Sequence, residues 1–324
     1  MNIFSLNLAY STTRLVVKFP DNSNENQYNQ DQIMQEGGLR KYGYYKSSYY
    51  NSSLNNRKTE NDCYQFSLIN LLSKLKLADA QFIPLVSIIT VVFNGKQYIE
   101  EAIKSVLLQD YPNIEYLIID GGSTDGTLEI LKKYDSVIDY WASKPDKGIY
   151  DAMNQGITLA KGELIGILNS DDWYELNAVS QVVESSWKNP EASIFHGRMN
   201  VYDANGKYIT TQTHRNYPLY RLISTPFKHP TCFLKRNIYE KFGKFNLEYK
   251  YVADYDLMLR LIKNNVKSYF INSSIANLRK VGVTTSKYSI LNQQEIRDII
   301  KKYSNNYLLF GLICLLRVLI KKIN

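Results

Sequence analysis

Three cysteines and three histidines are few for a chain of 324 residues. Cys63, Cys232 and Cys314 are odd in number, widely spaced and without a C-x-x-C pair, so neither a disulfide framework nor a cysteine zinc site is expected, and a reducing cytoplasm fits best. His196 and His214 lack ligand-like spacing. No run reaches the ~18 uninterrupted apolar residues that a membrane-spanning helix needs. The first 20 residues carry Arg14 and Lys18 and no continuous apolar core, so they do not read as a signal peptide. Neither G-x-G-x-x-G nor G-x-x-x-x-G-K-[ST] occurs, which sets aside dinucleotide-dependent dehydrogenases and P-loop enzymes. A nucleotidyltransferase would carry a Gly-rich segment where Phe93-Asn94-Gly95-Lys96 stands.

What is present is an ordinary globular balance, 44% hydrophobic and 22% charged, in a chain long enough for a substantial core. Lysine and arginine outnumber the acids by 39 to 31, and the resulting charge of +8 suits anionic partners without choosing among them. Charge alone, with no basic-aromatic motif, gives no reason to expect nucleic acid.

Residues 1–83 are polar and rich in Asn, Ser and Tyr, and read as an extension, loosely ordered or packed against the main domain. Within it only Phe66 to Leu77 has helical spacing. A domain spanning 84–285 opens with the β-branched run Leu85 to Phe93, closed by Asn94-Gly95, as for a strand buried on both faces. Ile99, Ala102, Ile103, Val106 and Leu107 share a helical face, and Ile114 to Ile119 is a second buried strand. Thr127 to Tyr134 as helix, Val137 to Ala142 as strand, Ile149 to Ala160 as helix and Leu164 to Leu168 as strand continue the alternation, with Ile149, Met153, Ile157 and Ala160 on one face of the third helix. The fold class is α/β, an open and mostly parallel sheet with helices on both faces. A helix from Glu175 to Trp187, an Asn205-Gly206 hairpin and a helix from Asp254 to Asn264 follow, and residues 286–324 form a C-terminal helical tail.

In such sheets ligands bind beyond the carboxyl ends of the strands. Asp120 leads into Gly121-Gly122-Ser123-Thr124-Asp125-Gly126 there, and Asp171-Asp172 follow Gly166 to Ser170. An acidic pair at that edge can hold a divalent cation on a nucleotide diphosphate, or simply cap a helix. Ser123, Thr124 and Asp125 read as caps for the helix near Thr127.

Together, Val86 to Asn94, Asp120 to Thr127, Ser143 to Asn154, Leu168 to Asp172, and Ala253-Asp254-Tyr255-Asp256-Leu257 with Arg260 resemble the inverting, nucleotide-sugar-dependent glycosyltransferases of family 2, which have the GT-A fold. The resemblance covers roughly Pro84 to Lys280 and points to the branch used in O-antigen and other surface-polysaccharide assembly. It implies that Val91, Phe93 and Asn94 line the nucleoside pocket, that Asp120 contacts base or ribose, and that Asp146, Lys147 and Gly148 close over the nucleotide. It implies further that Asn169 and Asp171 face the ribose or donor sugar, that Asp172 binds Mn²⁺ or Mg²⁺, and that Asp254 is the catalytic base. An α-linked UDP-sugar would then give a β-linked product. The same Asp254 also suits an ordinary N-cap, and Asp256 beside it reads as structural.

His229 could reach the diphosphate or acceptor, or be a structural histidine, and Trp173 could stack on a sugar ring or fill the core. Arg260 is expected to tie its helix to the domain. Two positions depart from the family pattern: Asp120-Gly121 stands where many members have two aspartates, and Ala253-Asp254 where many have Glu-Asp. Residues 307–323 are apolar and basic, suiting an interfacial helix on the inner face of the membrane or a helix packed on protein. A glycan or polyprenyl-linked acceptor would make that contact useful. The alternative is an inactive GT-A-like scaffold or glycan-binding subunit, which loss of Asp172 or Asp254 would have favoured.

Overall fold

The computed structural model describes residues 17–18, 35–42, 44–46, 49–50, 82–213, 227–281 and 289–304. The expected helix at Phe66–Leu77, His214 and the tail at 307–323 lie outside the described residues.

Ten strands form one sheet: β1 (Gln35–Gly37), β2 (Val86–Val92), β3 (Ile114–Asp120), β4 (Tyr140–Ser143), β5 (Leu164–Asn169), β6 (Trp173–Tyr174), β7 (Ile194–Tyr202), β8 (Tyr208–Gln212), β9 (Phe233–Lys235) and β10 (Ser268–Arg279). The helices are α1 (Ile99–Leu107), α2 (Thr127–Lys133), α3 (Ile149–Leu159), α4 (Ala178–Lys188), α5 (Arg236–Phe242), α6 (Ala253–Lys263) and α7 (Ser289–Tyr303). In space the strands run β6-β10-β7-β9-β5-β2-β3-β4-β1, with β8 paired to β7. The expected parallel sheet is its centre, where β5, β2, β3 and β4 all run the same way. Beyond β5 the sheet is mixed, because the hairpin and the short return strand β9 bring chain back antiparallel.

Strand parity explains the two-sided burial. Val86, Ile88, Val92, Ile114, Tyr116 and Ile118 face α1, α2 and α4, while Ile89, Val91, Leu117 and Ile119 face α3, α5 and α6. With both faces covered, a strand has no polar side, and the β-branched runs follow. Helix α3 lies so close to β2 that a Cβ on Gly156 would stand 2.3 Å from Ile89 Cγ2. Its buried face is Ala152, Met153, Gly156 and Ile157, so Ile149, expected inside, is 45% exposed.

Three boundaries differ from expectation. Val137 and Ile138 are buried in a turn closed on the Tyr134 carbonyl, and β4 starts only at Tyr140. Trp173 and Tyr174 pair with β10, and the Glu175 amide donates to Ile275, so α4 begins at Ala178. Part of the polar extension joins the sheet: Gln35–Gly37 pairs antiparallel with β4, Leu39 is buried, Arg40 pairs with Glu115, and Lys46 meets Asp139 beneath the start of β3.

Candidate active site

The carboxyl ends of β2, β3, β4 and β5 carry four loops, and hydrogen bonds join those after β2, β3 and β4. After β2, Asn94 sits at φ 51°, a left-handed conformation asparagine tolerates better than most residues. This aims its amide at Ser123 Oγ (2.7 Å) and lets its Oδ1 accept from the Thr124 amide (2.9 Å). Gly95 N donates to Thr127 Oγ1 (3.0 Å) and Lys96 N to Asp125 Oδ2 (3.0 Å), while Asp125 Oδ1 accepts from the Thr127 amide (3.0 Å). Phe93, 65% exposed, therefore projects from a braced turn. Val91, expected in the same pocket, is instead 4% exposed against α3, as strand parity with Ile89 requires.

Asp120, expected at the base or ribose, is turned into its own loop. Its Oδ2 accepts from Gly122 N (3.0 Å), Ser123 N (2.9 Å) and Ser143 Oγ (2.6 Å), its Oδ1 from Ser123 Oγ, and the residue is fully buried. Four donors use nearly all the lone-pair capacity of a carboxylate, so Asp120 builds the loop and leaves outward contacts to others.

The acid that does stand outward there is Asp146. A Cβ on Gly121 would lie 2.7 Å from Asp146 Oδ2, so a side chain at 121, such as the second aspartate of the family pattern, would have to displace the Asp146 carboxylate. Asp146 is half-buried, its Oδ1 accepts from Gly148 N (2.8 Å), and burial, with the charges of Asp151 and Asp120, pushes its carboxyl above the usual range. Lys147 and Gly148 are exposed beside it, Gly148 at φ 111° with open space where a Cβ would go.

At the end of β5 the acidic pair divides its work. Asp172, expected as the metal ligand, is 2% exposed; its Oδ1 accepts from the Arg279 amide (3.2 Å) and its Oδ2 from Asn169 Nδ2 (3.2 Å). Burial and the Asp171 charge push its carboxyl well up. Asp171 is the partly exposed member. Asn169 Oδ1 is buried and has no hydrogen-bond donor. Asp171 and Asn169 thus carry oxygens at the end of β5 that the fold leaves without a hydrogen bond or partly exposed, the hard-oxygen type that suits Mn²⁺ or Mg²⁺. Among the described residues no three acidic, His or Cys side chains converge, so phosphate and water oxygens would supply the other ligands. Trp173 packs in the fold: the Arg279 guanidinium lies 4.8 Å from its ring centroid and the Tyr202 ring 4.9 Å from it.

Across this edge stands Asp254. Helix α6 is N-capped by Val252 with no side-chain cap, so Asp254 is not the cap; it lies in the first turn, where the helix dipole favours a negative charge. Its Oδ1 accepts from the Tyr150 hydroxyl (3.0 Å), and the residue is partly exposed. His229 has both ring nitrogens buried without a hydrogen-bond partner and packs edge-on to Phe245; burial pushes its pKa down, with the Asp254 charge opposing. Asp256 is 1% exposed and accepts from Arg260, Lys302 and Tyr303, while Arg260 also donates to the carbonyls of Phe242 and Lys244 (both 2.8 Å), the structural parts expected of them.

Sequence reasoning gave Tyr150 and Arg279 no role. Tyr150 lies inside a recognised block, which was a usable signal; Arg279 lies 107 residues from Asp172 with nothing to link them. A cavity of about 260 Å³ lined by Pro84, Leu164, Trp187, Lys235 and Arg236 opens at the opposite, amino-terminal edge of the strands, away from these groups.

The glycosyl transferase family 2 model matches residues 87–243. An uncharacterized glycosyltransferase of Mycobacterium tuberculosis is 32% identical over 185 residues, 55% of this chain and 68% of that one. One of Rickettsia typhi is 29% identical over 221 residues, 65% and 69%. Among solved structures, S. aureus TarS 1-349 in complex with UDP-GlcNAc has a TM-score of 0.57 at 17% identity, covering 72% of this chain and 71% of that one. Mannosyltransferase PcManGT from Pyrobaculum calidifontis, in complex with GDP-Man and Mn²⁺, has a TM-score of 0.53 at 16% identity, covering 71% and 68%. At those identities the two structures speak for the fold. Sheet order, loop edge and sequence relatives agree: the chain belongs to the family 2 glycosyltransferases and has their GT-A fold.

Proposed function

We propose that this glycosyltransferase moves a sugar from a nucleotide-sugar, a UDP-sugar first of all, to a hydroxyl of a glycan or polyprenyl-linked oligosaccharide, with inversion, in surface-polysaccharide assembly. One observation carries the reading: Asp254, partly exposed at a helix N-terminus, is bonded by Tyr150, in the first turn of α3 directly after the Asp146 to Gly148 loop. The UDP-GlcNAc held by TarS and the GDP-Man and Mn²⁺ held by the mannosyltransferase support a nucleotide-sugar and a divalent ion as its ligands.

Asp254 Oδ2 accepts no hydrogen bond among the described residues and takes the proton of the acceptor hydroxyl as its oxygen attacks the anomeric carbon. The bond from that carbon to the diphosphate breaks, and its electron pair leaves on the nucleoside diphosphate. Attack from the face opposite the leaving group inverts the centre. Asp171 and Asn169 would hold Mn²⁺ or Mg²⁺, which when bound stabilises negative charge on the diphosphate. Phe93, Asn94 and Asp146 with Lys147 and Gly148 would enclose the nucleoside. No helix among the described residues is long and apolar enough to cross a membrane. With a lipid-linked acceptor the protein would work as a peripheral enzyme on the cytoplasmic face, residues 307–323 touching lipid.

The test is release of nucleoside diphosphate from UDP-, GDP- and dTDP-sugars by the purified full chain with lipid extract, with and without Mn²⁺. Metal-dependent turnover of one donor supports the reading. Donor binding without turnover under every acceptor offered moves the protein to the scaffold class.

A further inference from the structure

The C-terminal helix α7 packs behind the first turn of α6, and its attachment is reciprocal. From α6, the buried Asp256 carboxylate accepts from Lys302 Nζ (2.9 Å) and the Tyr303 hydroxyl (3.1 Å). From α7, the Glu295 carboxylate accepts from the amides of Lys250 (2.9 Å) and Tyr251 (2.9 Å), one oxygen to each. Glu295 and Lys302 are seven residues apart and share a helix face, with Ile299 between them fully buried alongside Tyr255 and Leu259. Two charge-assisted bonds to consecutive amides fix the backbone of the segment entering α6.

That segment reaches the base. The Tyr150 hydroxyl lies 3.1 Å from the Tyr251 carbonyl oxygen and 3.0 Å from Asp254 Oδ1. A phenol has one proton, so the two acceptors compete for it, and the charged one binds it more strongly. Tyr150 cannot easily swing away, because its ring packs on Phe245 at 5.3 Å between centroids, and Asn154, one turn along α3, exchanges two hydrogen bonds with the Phe245 backbone. Burial and the Asp254 charge push the phenol well above its ordinary value, keeping it a donor.

We propose that Tyr150 and Glu295 are positioning residues for the base: Tyr150 fixes one oxygen of Asp254 so that the other faces the acceptor, and Glu295, from the C-terminal helix, fixes the Tyr251 carbonyl that frames the same hydroxyl. The inference rests on Asp254 being the base. It makes α7 part of the catalytic apparatus although it contributes nothing that touches substrate.

The test compares Tyr150→Phe, Glu295→Gln and Asp254→Asn in the full chain, reading donor turnover, UDP affinity and UDP-binding stoichiometry by calorimetry, and amide exchange over residues 246–256. Tyr150→Phe keeps the ring contact and is expected to lower kcat by about 10- to 100-fold, the loss of one oriented bond to a charged group. Glu295→Gln retains one acceptor and is expected to lower kcat by less, with faster exchange at Lys250 and Tyr251. In both, UDP affinity and stoichiometry stay at the wild-type value. Wild-type kcat in both variants, or a fall in kcat matched by a fall in UDP-binding sites, overturns the proposal. Turnover surviving Asp254→Asn defeats instead the assignment of the base, on which the proposal depends.

Discussion

Replacing Lys46 by methionine is expected to cost about 3–5 kcal/mol, the range for breaking a buried ion pair from one side. The structure gives the reason atom by atom. The Lys46 side chain is 0% exposed and Asp139 3%; Lys46 Nζ lies 2.9 Å from Asp139 Oδ2 and donates to the Ile114 carbonyl at 2.6 Å. Burial pushes the ammonium down and the carboxyl up, and each charge holds the other ionised against that pressure. Methionine fills the volume but leaves Asp139 with the Tyr116 amide (2.8 Å) and Ile114 without its lysine donor. Against a total of about 5–15 kcal/mol for a typical domain, this is a large fraction. Equilibrium urea unfolding followed by tryptophan fluorescence reads it as a midpoint about 1 M or more lower. Lys46→Met/Asp139→Asn, which buries no lone charge, should recover more than half of the loss. A single variant within about 1 kcal/mol of wild type, well below the buried-pair range, would refute the reasoning, as would a double variant no better than the single. The result also decides whether this part of the polar extension stabilises the sheet, since the pair sits beneath the start of β3.

Other outcomes follow from the same geometry. Asp171→Asn should abolish metal-dependent nucleotide binding and leave the melting temperature nearly unchanged, whereas Asp172→Asn should lower stability by about 1–3 kcal/mol through mismatched buried hydrogen bonds; Mn²⁺ titrations with thermal melts separate the two. Gly121→Ala should displace the Asp146 carboxylate and weaken nucleotide binding, with a change in stability below about 1 kcal/mol, measured by nucleotide titration beside denaturation. His229 is held below its unfolded value of about 6.5, so the unfolded chain binds the extra proton in acid and stability falls as pH drops below about 6.5. His229→Gln should flatten that part of the stability–pH curve, and an unchanged slope would count against a buried neutral imidazole.

The parallel centre of the sheet was legible because burial on both faces leaves no choice of residue: Val86 to Val92 and Ile114 to Ile119 are apolar nearly throughout, and the asparagine–glycine pair at 205–206 announced its hairpin. The alternating face of Val91 was legible too, since it follows Ile89 by two residues. Short edge pieces were not, because Gln35–Gly37 carries no apolar period and pairs with a strand about a hundred residues away. Which acid faces outward was also hidden. Asp120, Asp146, Asp171 and Asp172 all stand at strand ends, and only the donors around them, drawn from Ser143, Gly148, Asn169 and Arg279, decide which are consumed by the fold. Contacts such as Tyr150 with Asp254, 104 residues apart, are set by how α3 and α6 pack on the same face of the sheet.

The most direct measurement is donor turnover by Asp254→Asn beside wild type, with donor binding measured on the same samples. Donor binding is expected at wild-type strength with turnover lower by about 10²-fold or more, the contribution of a positioned general base. Turnover at the wild-type rate in Asp254→Asn would contradict it.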